Sequence, residues 1–339
     1  MIDFYAMSAG EQAECVEGLA VQALKNWGVS DCKPELVKFR ENAVFRVIES
    51  TGRPAALRIH RHSYHSDAAL RSELAWMQSL CADGFDVPRV LPTLADETFA
   101  IVAAERVPEP RQVDMLAWLP GRPFGSIETG LDPALTDIRA TFVMVGQLAA
   151  RLHDHAQTWQ RPAGFVRHAW DLDGLVGEQP VWGQFWELSA LAPDQRVLID
   201  HARARAQRDL VSFGRSSATF GLIHADLLVE NLLLNGDRVS LIDFDDSGFG
   251  WHLFDLATAS FFFRGTDAFN PIRQGMIDGY RSVRALPDEQ LEIMPLFDLL
   301  RGFTYLGWVH TRYVTQTAKE MAPVIVELAC QVAEDFLAG

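Results

Sequence analysis

His224-Ala225-Asp226-Leu227-Leu228-Val229-Glu230-Asn231 is followed by Leu232-Leu233-Leu234, then Asn235-Gly236, then the run from Val239 to Asp246. Asn-Gly between two apolar runs is a strong hairpin signal, and it predicts strands at about 231–234 and 239–243. Folding the chain at 235–238 brings the open ends of the hairpin together and sets Asn231 beside Asp243, because cross-strand Cα atoms lie about 4.5–5.5 Å apart. An amide oxygen and a carboxylate at that separation suit Mg²⁺, which takes oxygen ligands and keeps water or phosphate oxygens in its other positions. Asp226 falls on the loop entering the hairpin, where it can accept a proton from an attacking hydroxyl or orient it. General-base help of this kind contributes roughly 10²–10⁴-fold in rate. Phosphoryl transfer needs mainly positioning and charge neutralisation, so three such oxygen-bearing side chains make a sufficient minimal set.

Upstream of this stretch the pattern changes character. Residues 10–28 read as an amphipathic helix ended by Gly28. Segments 35–49 and 54–61 are rich in Val, Ile, Phe and Leu around Thr51-Gly52 and predict a β-hairpin. Ser66 or Asp67 caps a helix in which Leu70, Leu74, Met77 and Cys81 recur at helical spacing, and Gly84 ends it. Short strands near 98–106 and 112–118 complete a small antiparallel sheet before Pro120-Gly121. Helical patterns dominate beyond that point: Leu135, Ile138, Phe142, Val145, Ala149 and Leu152 form one apolar face, with further helices expected at 181–192, 194–212, 271–283, 288–316 and 318–337. There is no internal repeat. The expected class is α+β, with a small antiparallel-sheet lobe carrying one helix at 1–114 and a larger, mainly helical lobe at 115–339, joined by a hinge at about 113–121. A length of 339 residues also favours two packed lobes, since single cores stop growing near 250–300 residues.

The formal net charge of −15 argues against a wholly basic nucleic-acid-binding face. Cys15, Cys32, Cys81 and Cys330 are scattered, with no C-x-x-C pair, and read as buried reduced thiols. No apolar run approaches the roughly 20 residues of a membrane span, and no basic-then-apolar leader opens the chain, so a cytoplasmic protein without membrane or nucleic-acid partners is expected. His60, His62 and His65 form a strand-end run with no Cys or carboxylate frame, which reads as surface imidazole rather than a metal cluster. Trp182, Phe185 and Trp186 read as packing residues. Tyr305, Trp308 and Arg312 share a helix face that either packs in the core or lines a substrate cleft. Asp245 and Asp246 are either further cation ligands, for a second Mg²⁺ or a substrate ammonium, or turn residues.

The segment HADLLVEN resembles the kinase catalytic loop H-R-D-L-x-x-x-N, with Ala225 at the Arg position, and Asp243-Phe244-Asp245 resembles D-F-G with its last residue changed. The resemblance is closer to the aminoglycoside phosphotransferase and choline kinase superfamily, whose L-A-x-L-H helix and D-L-A segment are similar to Leu148–His153 and Asp255-Leu256-Ala257. The phrase Ala56-Leu57-Arg58-Ile59-His60-Arg61 looks most like its homoserine kinase type II and stress-response kinase branch. The resemblance, over about 35–310, implies a protein-kinase-like two-lobe fold using ATP and Mg²⁺. It implies Asp226 as the base, Asn231 and Asp243 as metal ligands, His224 as a loop-shaping residue, Asp245 as the second carboxylate after the metal ligand, and Asp255 as an acceptor supporting the catalytic loop. In the small lobe Arg58 stands at the position of the usual phosphate-binding Lys and Glu73 is its ion-pair partner. The chain departs from the protein-kinase pattern in having no G-x-G-x-x-G and no A-P-E. Phosphate cover over Arg40–Phe45 therefore falls to Asn42 or to main-chain amides.

The implied function is transfer of the γ-phosphoryl of ATP to a hydroxyl of a small molecule, an amino alcohol or an amino acid such as homoserine. A Ser/Thr protein kinase of the stress-response type and a nucleotide-binding pseudokinase module are the alternatives.

Overall fold

A computed structural model describes residues 4–39 and 42–339. The chain divides into two compact units, one formed by Met1–Pro120 with Gln160–Val166 and Ser240–Ile242, the other by Gly121–Trp159, Arg167–Val239 and Asp243–Gly339.

The first unit opens with helix α1 (Ala9–Ala23), started by a Ser8/Glu11 capping box. A 3₁₀ turn follows and ends at Gly28, whose φ of 69° only glycine adopts without strain. Five strands, β1 (Glu35–Phe39), β2 (Ala43–Ile48), β3 (Pro54–Ile59), β4 (Ala100–Ala104) and β5 (Val107–Ala117), form one antiparallel sheet in the order β1-β2-β3-β5-β4. The segment expected as a single strand over 35–49 is thus two strands, and Arg40 and Glu41 between them lie outside the described residues. Helix α2 (Asp67–Ala82) is capped by Ser66 Oγ, which accepts from Ala69 N at 3.2 Å, and buries Leu70, Glu73, Leu74 and Met77. Cys81 ends that row only half-buried, as is Cys32. Because α1 packs on the sheet near β4, this unit holds two α-helices among its described residues, where one was expected.

The second unit carries short strands β6 (Arg122–Pro123), β7 (Gly125–Ser126) and β8 (Gly130–Leu131), then the long helix α3 (Ile138–Thr158). Strand β9 (Ala169–Trp170), helix α4 (Leu172–Val176) and helix α5 (Pro193–Phe213) follow. Next come β10 (Phe220–Ile223), β11 (Leu232–Asn235), β12 (Arg238–Leu241, whose last two residues count with the first unit) and β13 (Gly248–Trp251), and then helices α6 (His252–Ser260), α7 (Phe269–Val283), α8 (Asp288–Leu291), α9 (Met294–Arg312) and α10 (Gln316–Ala338). The helix expected at 181–192 is only a 3₁₀ turn at Phe185–Glu187, because Gly183 takes φ 95°, outside the helical region. The helix expected at 288–316 is interrupted between Leu291 and Met294: Pro295 has no N–H to give to the preceding turn and instead opens α9.

Helices α3 and α7 approach closely because glycines face the partner backbone. A Cβ on Gly146 would overlap the Met276 carbonyl, and one on Gly279 would overlap the Val143 carbonyl. Gly146→Ala and Gly279→Ala are each expected to cost about 1–3 kcal/mol by overpacking, read as a lower urea midpoint at unchanged slope. The same helices carry His153 and Tyr280, hydrogen-bonded at 2.9 Å, so their separation bears on the site described next.

Candidate active site

The antiparallel register of β10 and β13 places Ile223 opposite Gly248. That pairing brings the loop leaving β10, His224–Asn231, alongside the segment entering β13, Asp243–Ser247, within the second unit. Residues 224–231 form no strand. Two tight main-chain bonds, Leu228 N to Asp226 O at 2.7 Å and Asn231 N to Leu228 O at 2.9 Å, fold them into consecutive turns. Asn231 therefore precedes β11 rather than opening it, contrary to the strand expected at 231–234, and the Asn235-Gly236 turn joins β11 to β12 with Gly236 at φ 64°.

Ala225 and Asp243 are non-glycine residues with φ of 66°, a conformation that costs free energy and persists only where neighbours impose it. At Ala225 the neighbour is Asp255: its Oδ1 accepts from Ala225 N at 2.7 Å and its Oδ2 from His224 N at 3.1 Å. His153 Nε2 lies 3.0 Å from the same Oδ2, and the His153 ring stacks on His252 at 4.3 Å between centroids. His224 is fully buried, lies edge-on to Phe244 at 4.7 Å, and its Nδ1 accepts from Asp226 N at 3.2 Å. At Asp243 the loop is braced through its carbonyls. Arg167 donates to Ser247 O at 2.6 Å and also to Asp245 O, and Trp170 Nε1 donates to Asp246 O at 2.8 Å. Asp245 is buried.

Within this frame Asp226 is held at both carboxylate oxygens. Asn231 Nδ2 donates to Oδ2 at 2.8 Å, and Arg301 Nη2 donates to Oδ1 at 2.7 Å. Burial pushes the Asp226 carboxyl up to about 6; Arg301 pulls it down, while Asp243 and Glu230 push it up again. With its nitrogen on Asp226, the Asn231 amide presents its oxygen to other ligands, and Asp243 is exposed. One amide oxygen and one exposed carboxylate on a braced loop, next to a second carboxylate, are the all-oxygen donors that Mg²⁺ takes, so the residues fit that ion.

The first unit brings together a different set. Arg58 on β3 faces Asp114 on β5 as a cross-strand pair and donates to both its oxygens, Nε to Oδ1 at 2.8 Å and Nη2 to Oδ2 at 2.7 Å. Nη2 also reaches Glu73 Oε1 at 2.9 Å. His60 Nε2 sits 2.7 Å from Asp114 Oδ2. All four residues are buried, so His60 is no surface imidazole. Burial alone would raise the Asp114 carboxyl, but Arg58 and His60 outweigh it and hold Asp114 well below the usual carboxylate range. Asn42 Oδ1 accepts from Arg61 N at 3.1 Å, which ties the β2 entry to the end of β3.

Sequence reasoning missed Asp114, Arg167 and Arg301; it singled out Tyr305 as a core or cleft residue but not its bond to Arg301. For Arg301 a signal was present, a lone arginine in the apolar run Leu299-Leu300-Arg301-Gly302-Phe303, since a charge there must find a partner. For Asp114 there was none short of knowing the strand order.

The family model described as "Phosphotransferase enzyme family" matches residues 37–289, three quarters of the chain and the whole of the catalytic loop. The chain belongs to that family. A solved structure titled a microcompartment-associated aminopropanol kinase is 31% identical, covers 94% of this chain and 97% of its own, and superposes with a TM-score of 0.81. An amicoumacin kinase solved with AMP-PNP, Ca²⁺ and amicoumacin shares the fold at 18% identity, over 89% of this chain and 88% of that one, with a TM-score of 0.71. A homoserine kinase of Rhizobium etli is 30% identical over 165 residues, 47% of each chain. The phosphotransferase family membership, the sheet lobe and the helical region together make this protein a kinase-like α+β enzyme that phosphorylates a small molecule. Among the described residues no helix is long and apolar enough to cross a membrane.

Proposed function

We propose that the protein transfers the γ-phosphoryl group of ATP to the hydroxyl of a small amino alcohol. The single observation that carries the transfer is the β10–β13 register, which sets the loop holding Asp226 on the Asn231 amide alongside the segment that begins at Asp243. The acceptor class rests on the 31% identity, over nearly the whole of both chains, to the aminopropanol kinase. It agrees with the carboxylates of Asp226, Glu230, Asp243 and Asp246 on one loop pair, which favour a cationic acceptor.

In this reading Asp226 accepts the proton of the acceptor hydroxyl as that oxygen bonds to the γ-phosphorus and the bond to the β-phosphate oxygen breaks, releasing ADP. Asn231 and Asp243 would hold Mg²⁺, which when bound supplies neutralisation of phosphate charge. Asp255 keeps the loop in its strained turn, and the Arg167 bonds keep Asp243 in place. Arg58, oriented by Asp114 and Glu73, would serve as the small unit's phosphate-binding cation, with Asn42 as a further phosphate-binding residue.

A coupled ADP-release assay over aminopropanol, ethanolamine, choline, homoserine, hydroxylysine and aminoglycosides tests this reading. Turnover is expected to be fastest with a short amino alcohol. Silence across the panel, from protein that binds Mg·ATP, rejects it. The roles of the two carboxylates separate in a second measurement. Asp243→Ala should abolish most of the thermal stabilisation given by Mg·ATP, because ligand binding raises stability in proportion to ln(1 + [L]/Kd). Asp226→Asn should keep that stabilisation. Equal losses would contradict the division.

A further inference from the structure

Asp255 already anchors the catalytic loop through the N–H groups of His224 and Ala225. A second, separate anchor acts on the reacting carboxylate itself. Arg301, on α9, is fully buried. Its Nη1 donates to Ala225 O at 3.1 Å, and its Nη2 donates to Asp226 Oδ1 at 2.7 Å and to Tyr305 Oη at 2.6 Å. Three aromatic rings surround the guanidinium, Tyr305 at 4.3 Å, Trp182 at 5.4 Å and Phe254 at 5.5 Å. Its Nε is buried without a partner.

Burying a cation this deeply costs several kcal/mol unless its partners are well placed. The hydrogen bonds that compensate here go to the residue before the base, to the base, and to the tyrosine one helical turn along. Tyr305 and the rings leave the fork one orientation, since aromatic faces attract a guanidinium by the ring quadrupole. Asp226 is consequently clamped between a cation on Oδ1 and an amide on Oδ2.

We propose that Arg301, locked by Tyr305, is the positioning residue of the phosphotransferase: it aims the Asp226 carboxylate at the acceptor hydroxyl and takes no part in nucleotide binding. Resting on Asp226 as the base, this assigns to α9, some 75 residues downstream, a role that the catalytic-loop motif does not carry.

The test combines Arg301→Ala, Arg301→Lys and Tyr305→Phe with steady-state kinetics and Mg·ATP titration. Displacing a catalytic group by about 1 Å costs on the order of 10²-fold. Arg301→Ala should therefore lower kcat about 10²-fold, with the KM for ATP unchanged within a few fold, and guanidinium chloride at millimolar, non-denaturing concentration should restore part of the rate. Arg301→Lys keeps the charge but not the fork and should recover part of the loss, again in kcat. Tyr305→Phe, which removes only one acceptor, should lower kcat several-fold. If Arg301→Ala fails to fold, the other two variants decide. Wild-type kcat in both Arg301→Lys and Tyr305→Phe overturns the proposal, as does a defect confined to the KM for ATP. Asp226→Asn, run alongside, separates the two ideas: activity in that variant removes the base assignment, whereas its inactivity beside fully active Arg301 variants removes only the positioning role.

Discussion

Asp226→Asn is expected to lower kcat by about 10²–10⁴-fold, the range that a general base supplies, and to leave Mg·ATP affinity within a few fold of wild type. The substitution preserves shape and keeps an oxygen to accept from Arg301 or Asn231, so the hydrogen bonds that fix the loop, to Asp255 and within 226–231, lose little. What it removes is the capacity to take a proton. It also removes the negative charge that faces Arg301, leaving that buried guanidinium with a neutral partner, and a modest fall in stability accompanies the loss of rate. The measurement is single-turnover product formation with the best acceptor of the panel, which isolates chemistry from ADP release. A variant that keeps wild-type single-turnover rates would remove Asp226 from the chemistry and return it to the looser role of orienting the acceptor. Glu230 is the nearest alternative base by charge, because it too influences Asp226. Glu230→Gln should therefore change kcat far less than Asp226→Asn.

Much of this arrangement is legible in the chain because it is local. The Asn-Gly turn, the helix caps at Ser66 and Gly28, and the spacing from Asp226 to Asn231 are encoded within a few residues. Their physics, φ > 0 at a turn or an oxygen accepting from a first-turn amide, does not depend on distant partners. Local rules failed where a single residue overrode a periodic pattern. Gly183 reduces an apolar stretch to a 3₁₀ turn, and Pro295 divides what periodicity read as one helix. The expectation of Asn231 as a strand residue failed for a related reason: the turn through Leu228 sets where β11 begins. The parts of the site that were not legible are long-range. Arg301 lies 75 positions from Asp226 and Asp114 lies 56 from Arg58. Arg301 is recognisable as a charge in an apolar run and Asp114 is not, and for both only the fold names the partner. His60 illustrates the same limit, since its sequence neighbours suggest a surface cluster and the strand register buries it against Asp114.

The cluster around Asp114 sets the largest stability effect expected outside the hydrophobic core. Asp114→Ala removes both oxygens on which Arg58 rests its Nε–Nη2 edge, together with the partner of His60. Glu73 alone then faces a buried guanidinium. Breaking a buried ion pair from one side costs about 3–5 kcal/mol, because the remaining charge is left desolvated and uncompensated, and the loss should appear as a much lower urea midpoint for the first unit. Acid dependence provides an independent check on the cause. Asp114 is held well below its ordinary value in the folded chain, whereas the unfolded chain titrates near 3.9. A depressed carboxylate contributes stability that is fully present above the unfolded value and disappears as pH falls through the folded one. Wild type should thus lose stability steeply on acidification below about pH 4, and Asp114→Ala, already lacking that contribution, should show a shallower decline. Parallel acid slopes in the two proteins would mean that Asp114 titrates normally and that the ion cluster is not what holds β3, β5 and α2 together. Nucleotide affinity should fall in the same variant. Arg58 keeps its charge but loses the two bonds that aim its fork, and a planar guanidinium contributes to phosphate binding through orientation as much as through charge.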